Sequence, residues 1–297
     1  MKTIIASAVA VAALAAAAGP AVAQSGPEVE IRHAVARVAV IVEDRADVAV
    51  EVEQGASGLP AIQVSRENGK VIIDGGLRRR AGMIGGGMSM RNCNAGSDNE
   101  RPGEGASVEV RDHGRIEVSQ APLIVIRTPR RVDVDASGAV FGSVGRGAAS
   151  VELGNAGCGH WNVANTEGPV SLSIGGSGNM RAGTSTDLDI SIGGSGEVTA
   201  GATRALDVSI GGSGDVIVAR VDGPTDVSIG GSGDVQVRGG TAPNLSISIA
   251  GSGDVNFAGV AGDVDVSIMG GGDVSVARAT GSVSRSIMGG GNVRIGS

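Results

Sequence analysis

Asp207-Val208-Ser209-Ile210-Gly211-Gly212-Ser213-Gly214-Asp215-Val216-Ile217-Val218 decides the fold of this chain, because its pattern is one of seven copies. The Ser-Ile pairs begin at Ser173, Ser191, Ser209, Ser228, Ser248, Ser267 and Ser286, with spacings of 18, 18, 19, 20, 19 and 19 residues. A unit this short cannot bury an apolar face by itself, so successive units must stack into a solenoid.

Four positions before each isoleucine stand Val170, Leu188, Leu206, Thr225, Leu245, Val264 and Val283. Two positions before it stand Leu172, Ile190, Val208, Val227, Ile247 and Val266, and polar residues fill the places between. Period two means a strand with one buried face. After the glycines a second alternating piece follows, such as Asp215 to Val218 or Asp273 to Val276, and a bend such as Val221-Asp222-Gly223-Pro224 returns the chain. The expected fold is all-β, a parallel β-helix (β-solenoid) with rungs of about 19 residues. Equivalent strands should lie parallel, ~4.8 Å apart. The corner glycines imply positive φ or very close backbone approach. Arg285 falls in the inward valine column, where a charge must reach water. It is therefore expected to mark an exposed end and to discourage another solenoid from stacking there.

Outward from the repeat, Val132 to Gly138 and Val151 to Gly157 look like degenerate rungs, which places the glycine-rich solenoid at residues 131–297. Residues 24–130 are expected to be an irregular β-rich region. There Val38, Val40 and Val42 alternate, as do Val48, Val50 and Val52, and Asn68-Gly69 signals a hairpin between Ile62, Val64 and Val71, Ile73. The stretch 78–106 breaks every pattern and reads as a long loop. Residues 1–23 join Lys2 to an apolar run ending in Ala21-Val22-Ala23, the form of a secretory signal peptide. At ~15 apolar residues the run is short for a membrane span. No later segment suits one, and neither a lipid-bearing cysteine nor a translocator is expected.

Export bears on the two cysteines. In an oxidising compartment Cys93 and Cys158 are expected to pair, closing a loop worth ~4 kcal/mol in the chain-entropy model. Without residues 1–23 the chain has 23 basic residues against 31 acidic, a net charge of −8. With one Trp, two Phe and no Tyr as well, nucleic acid is excluded as a natural partner. Arg78-Arg79-Arg80 reads as a solvated loop.

Two acidic columns are the candidate surface-binding ladder. One follows the glycines, at Asp215, Asp234, Asp254 and Asp273; the other lies beside the serine column, at Asp189, Asp207, Asp226 and Asp265. The Gly-Gly-Ser-Gly-Asp run invites comparison with calcium-binding repeats, but the spacing is about twice theirs, and Asn179, Glu197 and Asn292 occupy the same column. Turn-capping aspartates explain it better. The second column could meet an envelope polysaccharide or another surface protein, but a solvated face of the stack accounts for it better. Catalytic acids need a cleft that turns this short do not build, and the three histidines form no triad. His160 falls on a Gly-rich stretch that reads as a surface bend. Met83, Met88, Met90 and Cys93 are soft donors suited to copper(I), but loop filler accounts for them. No cofactor, metal or catalytic residue is expected.

The repeated Gly-Ser-Gly-Asp-Val at Gly212 to Val216, Gly231 to Val235 and Gly251 to Val255, with Leu123 to Pro129 before the first rung, resembles the putative autotransporter adhesin head GIN domain family. The resemblance covers about residues 29–297 and implies a secreted β-solenoid of bacterial envelopes, without catalytic residues to carry over. The loop at 78–106 and the cysteine pair are additions to that pattern. The expected function is a non-enzymatic exported protein, in the periplasm, at the outer surface or beyond, presenting a rigid solenoid as adhesin or scaffold. The rival readings are a polysaccharide- or calcium-binding module using the acidic ladder, and a carbohydrate-active enzyme on a β-helix.

Overall fold

The computed structural model describes residues 27–77, 90–96, 101 and 103–296. The expected signal peptide, Arg78-Arg79-Arg80, Met83 and Met88 lie outside the described residues. The N-terminal strands are β1 (Val29–Val42), β2 (Ala49–Glu53), β3 (Gln63–Glu67), β4 (Lys70–Asp74), β5 (Met90–Asn94), β6 (Ser107–Val110), β7 (Gly114–Glu117) and β8 (Leu123–Thr128). Then come β9 (Arg131–Val144), β10 (Ser150–Asn155), β11 (His160–Val163), β12 (Val170–Ile174), β13 (Asn179–Ala182), β14 (Asp187–Ile192), β15 (Glu197–Thr203) and β16 (Ala205–Ile210). The chain continues through β17 (Asp215–Asp222), β18 (Thr225–Ile229), β19 (Val235–Val237), β20 (Gly240–Ile249), β21 (Val255–Gly270), β22 (Asp273–Ala279), β23 (Val283–Gly289) and β24 (Asn292–Ile295).

These strands form a parallel β-solenoid of about nine turns with about 19 residues per rung. Each regular rung gives one strand to a first sheet and one to a second. In the first sheet Ile174, Ile192, Ile210, Ile229, Ile249, Ile268 and Ile287 stand in register, each pairing with the next. All but Ile287 are almost wholly buried, so the column seen in the repeat is the core. Two slots that break its apolar chemistry are satisfied locally. Thr225 Oγ1 donates to the carbonyl of Gly223 at 3.3 Å. Asn155, in the isoleucine column, donates to the Gly159 carbonyl at 3.0 Å and accepts the N–H of Gly157 at 3.3 Å. A buried polar group so paired avoids the desolvation cost of an orphan.

Corner glycines such as Gly212, Gly231 and Gly251 serve close approach without positive φ, whereas Gly270 and Gly289, at the same corner in later rungs, combine close approach with φ of 150° and 139°. A Cβ on Gly212 would lie 2.0 Å from the Gly194 carbonyl oxygen one rung away, with no left-handed backbone at that site. The same logic holds at Gly142, whose hydrogen leaves room for the fully buried Trp161.

The N-terminal strands join the same stack out of chain order. β1 pairs in parallel with β9 on one side, and with β4 and β8 on the other. β4 and β8 therefore share one layer. β3 runs antiparallel to β4, and β2 antiparallel to β8, so both sheets end in a reversed strand at this side. The β3–β4 turn is the Asn68-Gly69 hairpin, with φ of 53° and 84°, as a two-residue type I′ turn requires.

Between β4 and β8 the chain leaves the rung and builds a separate antiparallel sheet, β5-β6-β7. Part of the stretch read as a loop is thus strand: Met90–Asn94 pairs with β6. The small sheet has its own apolar contact with the solenoid, where Val108, Val110, Ile116 and Val118 pack with Val35, Ala139 and Phe141. The expected Cys93–Cys158 disulfide is present, with the Cα atoms 6.4 Å apart. Cys93 is therefore no copper ligand. His160 also departs from the surface-bend reading: it begins β11, is buried, and its Nε2 lies 3.0 Å from Asn162 Oδ1. No helix among the described residues is long and apolar enough to cross a membrane.

Candidate functional site

Outward residues of the first sheet line up as strictly as the core does, because strand register fixes both faces together. Asp189, Asp207 and Asp226 are partners on three consecutive rungs. Ser246 follows Asp226, and Asp265 follows Ser246. In the other direction the column runs through Ser171 and Glu152 to Asp133. The four expected aspartates therefore share a column, but Asp265 is set apart from the other three by a serine.

A groove of about 660 Å³ lies along the leading residues of these strands. Asp133, Glu152, Asp187, Asp189, Asp207 and Asp226 line it with a single cation, Arg131. Val170, Leu188 and Leu206, nearly closed to solvent, contribute to its lining. The pyrrolidines of Pro169 and Pro224 flank it at the bends. Neither Asp133 nor Glu152 was picked out from sequence, although both sit in the degenerate rungs recognised there. Aligning those rungs on strand register, instead of on the missing Ser-Ile pair, places them in the column.

Burial, and after it the charge of neighbouring acids, raises two of these carboxyls, Asp133 and Asp207. Asp133 is pushed up to about 6, first by burial and then by the charges of Glu152, Glu28 and Asp135. Asp135, one pleat along, is raised by burial and by Glu28. Asp207 is raised by burial and by its two rung neighbours, Asp189 and Asp226. The neighbouring acids keep their carboxylates near one another only at an electrostatic cost, so a cation or hydrogen-bond donor brought to the groove relieves it.

The other acidic column behaves differently. Asp215 Oδ1 accepts the N–H of Asp234, Asp234 that of Asp254, Asp254 that of Asp273, and Asp273 that of Asn292, at 2.7–2.9 Å. Asn179 does the same for Glu197 at 2.9 Å. Each side chain caps the corner of the next rung, and an amide oxygen serves as well as a carboxylate, which is why asparagine is admitted to the column. Among the described residues no group of three or more His, Cys, Asp or Glu is arranged to hold a metal ion.

Residues 222–296 match the family model described as "Putative auto-transporter adhesin, head GIN domain". That segment runs from the end of β17 through β24. A search of curated proteins finds no match.

Proposed function

We propose, from a segment that carries the adhesin-head pattern and a groove that carries the charge, that this chain is a non-enzymatic exported envelope protein. It presents a rigid β-solenoid for adhesion or scaffolding, and its contact face is the groove on the first sheet. The observation that supports this most is the row Asp189, Asp207, Asp226, one carboxylate per rung along a single concave surface.

A row at strand spacing suits an extended polymer better than a compact ligand, because each added unit meets an equivalent acceptor. Carboxylates accept from sugar hydroxyls and attract amino groups, so an envelope polysaccharide bearing amines or free hydroxyls is the favoured partner class. The parallel stack holds the acceptors in place before binding, which lowers the ordering cost of association. The raised Asp133 and Asp207 favour a cationic partner further, since its charge offsets the burial and the neighbouring acids that raise them.

Binding to a panel of envelope glycans, cationic and neutral, tests this reading. Retention that is lost in Asp189→Asn/Asp207→Asn/Asp226→Asn supports it; binding that is indifferent to those changes overturns the groove assignment. Cell fractionation tests the other half. An adhesive role requires the chain at the outer face, and recovery from the cytoplasm alone overturns export.

A further inference from the structure

The two ends of the stack differ in a way that makes them complementary. At the last described rung, β23 bonds only to β21 and β24 only to β22, so each leaves one edge of N–H and C=O groups unpaired. At the opposite end, among the described residues, β3 bonds only to β4 and β2 only to β8, again with one free edge each. β23 and β3 terminate the first sheet; β24 and β2 terminate the second. A coaxial copy would bring β23 to β3 and β24 to β2, in the opposite strand directions that antiparallel pairing requires.

Charge follows the same division. Residues 274–296 contain Arg278, Arg285 and Arg294 and no acid, and all three side chains are exposed. Residues 43–53 contain Glu43, Asp44, Asp47, Glu51 and Glu53 against Arg45 alone. The apolar surface is matched too. Val283 and Ile287 on β23 are 43% and 42% exposed, although their column is buried in the preceding rungs, and Val64 on β3 is 45% exposed.

We propose that a second copy of this chain docks its β23–β24 rung onto the β2–β3 end of the first, head to tail. Tail-to-tail pairing would oppose arginines to arginines, and head-to-head pairing would oppose acids to acids. Arg294 on β24 thus meets the acidic end at β2, while Arg285 on β23 meets β3, where Arg66 and Glu67 stand together, so Arg285 does not bar this partner. A head-to-tail contact does not close on itself, so it propagates into a rod. This inference is independent of what the groove binds: it concerns the ends of the stack, and the groove lies on its side.

Sedimentation velocity and electron microscopy on the chain as recovered after export test it. The expected result is a concentration-dependent series of lengthening rods that shortens as salt rises, because exposed charge pairs are screened. Arg285→Glu/Arg294→Glu makes both ends acidic, and Asp44→Lys/Asp47→Lys/Glu53→Lys makes both ends basic. Each variant alone should associate at least about tenfold more weakly than the parent. Mixing the two should restore rods of alternating copies, since every acidic end then meets a basic one. Emission of the buried Trp161 reports whether each variant is folded, and the salt series on the parent needs no variant. A chain that stays monomeric at its highest soluble concentration, a closed dimer that does not grow, or a mixture that fails to reassemble overturns the proposal.

Discussion

The carboxylate of Asp215 accepts the backbone N–H of Asp234 at 2.9 Å, and this bond recurs up the stack to Asn292. An acidic column that looks like a cation site is in this way a series of corner caps. Because the acceptor is an oxygen that asparagine also carries, Asp234→Asn should leave stability within about 0.5 kcal/mol of the parent. Asp234→Ala leaves the N–H of Asp254 without its acceptor and should cost about 1 kcal/mol. Thermal melts of both variants check this. The parent's midpoint should also be unchanged by millimolar calcium; a rise of several degrees would restore the metal reading.

Close packing at the corners makes glycine position a sharper test than corner composition. Gly212→Ala brings a Cβ against the Gly194 carbonyl, which is backbone in a neighbouring rung and cannot swing away. It should destabilise by about 1–3 kcal/mol. Ser213→Ala, at the next and exposed position, should change stability by less than about 0.5 kcal/mol. Denaturant midpoints compare the two, and equal effects would show that the corner is looser than its geometry implies.

The raised carboxyls of the groove should make stability fall with rising pH. For Asp133 the folded carboxyl is raised to about 6 by burial and by Glu152, Glu28 and Asp135, against 3.8 ordinarily. Between those values the folded chain holds more protons than the unfolded one, so unfolding free energy decreases as pH rises through the window. Asp135 and Asp207, also raised, act in the same direction. Asp222 and Asp263 are lowered by their partners, and their contribution is lost only below the ordinary carboxyl range. Stability should therefore be greater near pH 5 than near pH 7, by about 1 kcal/mol for a partly solvated Asp133. Asp133→Asn should raise stability at neutral pH and flatten the slope; a slope unaltered by that change would assign it elsewhere.

How far the sequence reached is clear from particular columns. Ile192, Ile210 and Ile229 declare their shared fate by recurring at fixed spacing, and the outward Asp189, Asp207 and Asp226 follow from strand alternation. The Asn68-Gly69 hairpin was legible from two residues whose backbone freedom is rare. The place of β1 was not. It sits between β9 and a layer made of β4 and β8, strands that follow it in the chain, and nothing in a local pattern encodes which neighbour a strand finds across ~90 residues. Asp133 and Glu152 were missed for a related reason: their rungs lack the Ser-Ile signature because Asn155 and Ala136 fill the isoleucine slot. The small sheet was hidden because Met90–Asn94 alternates too weakly to show as a strand until β6 and the disulfide hold it.

That disulfide supplies the last prediction. In regular rungs the step from first to second sheet is a short corner, as at residues 211–214, whereas between β4 and β8 it is an excursion spanning residues 75–122. Cys93 on β5 binds the excursion to Cys158, at the corner between β10 and β11. Replacing both cysteines by serine frees a loop of 65 residues and should cost about 2–4 kcal/mol in the chain-entropy account. The loss should be local. Val108, Val110, Ile116 and Val118 form the excursion's own contact with Val35, Ala139 and Phe141, so β5, β6 and β7 should gain hydrogen exchange first. Among the described residues, strands β14 through β22 share no hydrogen bonds with the excursion, and they should keep their protection. Trp161, packed beside Gly142 a few residues from Cys158, should hold its buried emission through that first step and lose it only when the rungs themselves open. Simultaneous loss of protection in β6 and β16 would mean that the clamp holds the entire stack, and that the excursion and solenoid unfold as one unit.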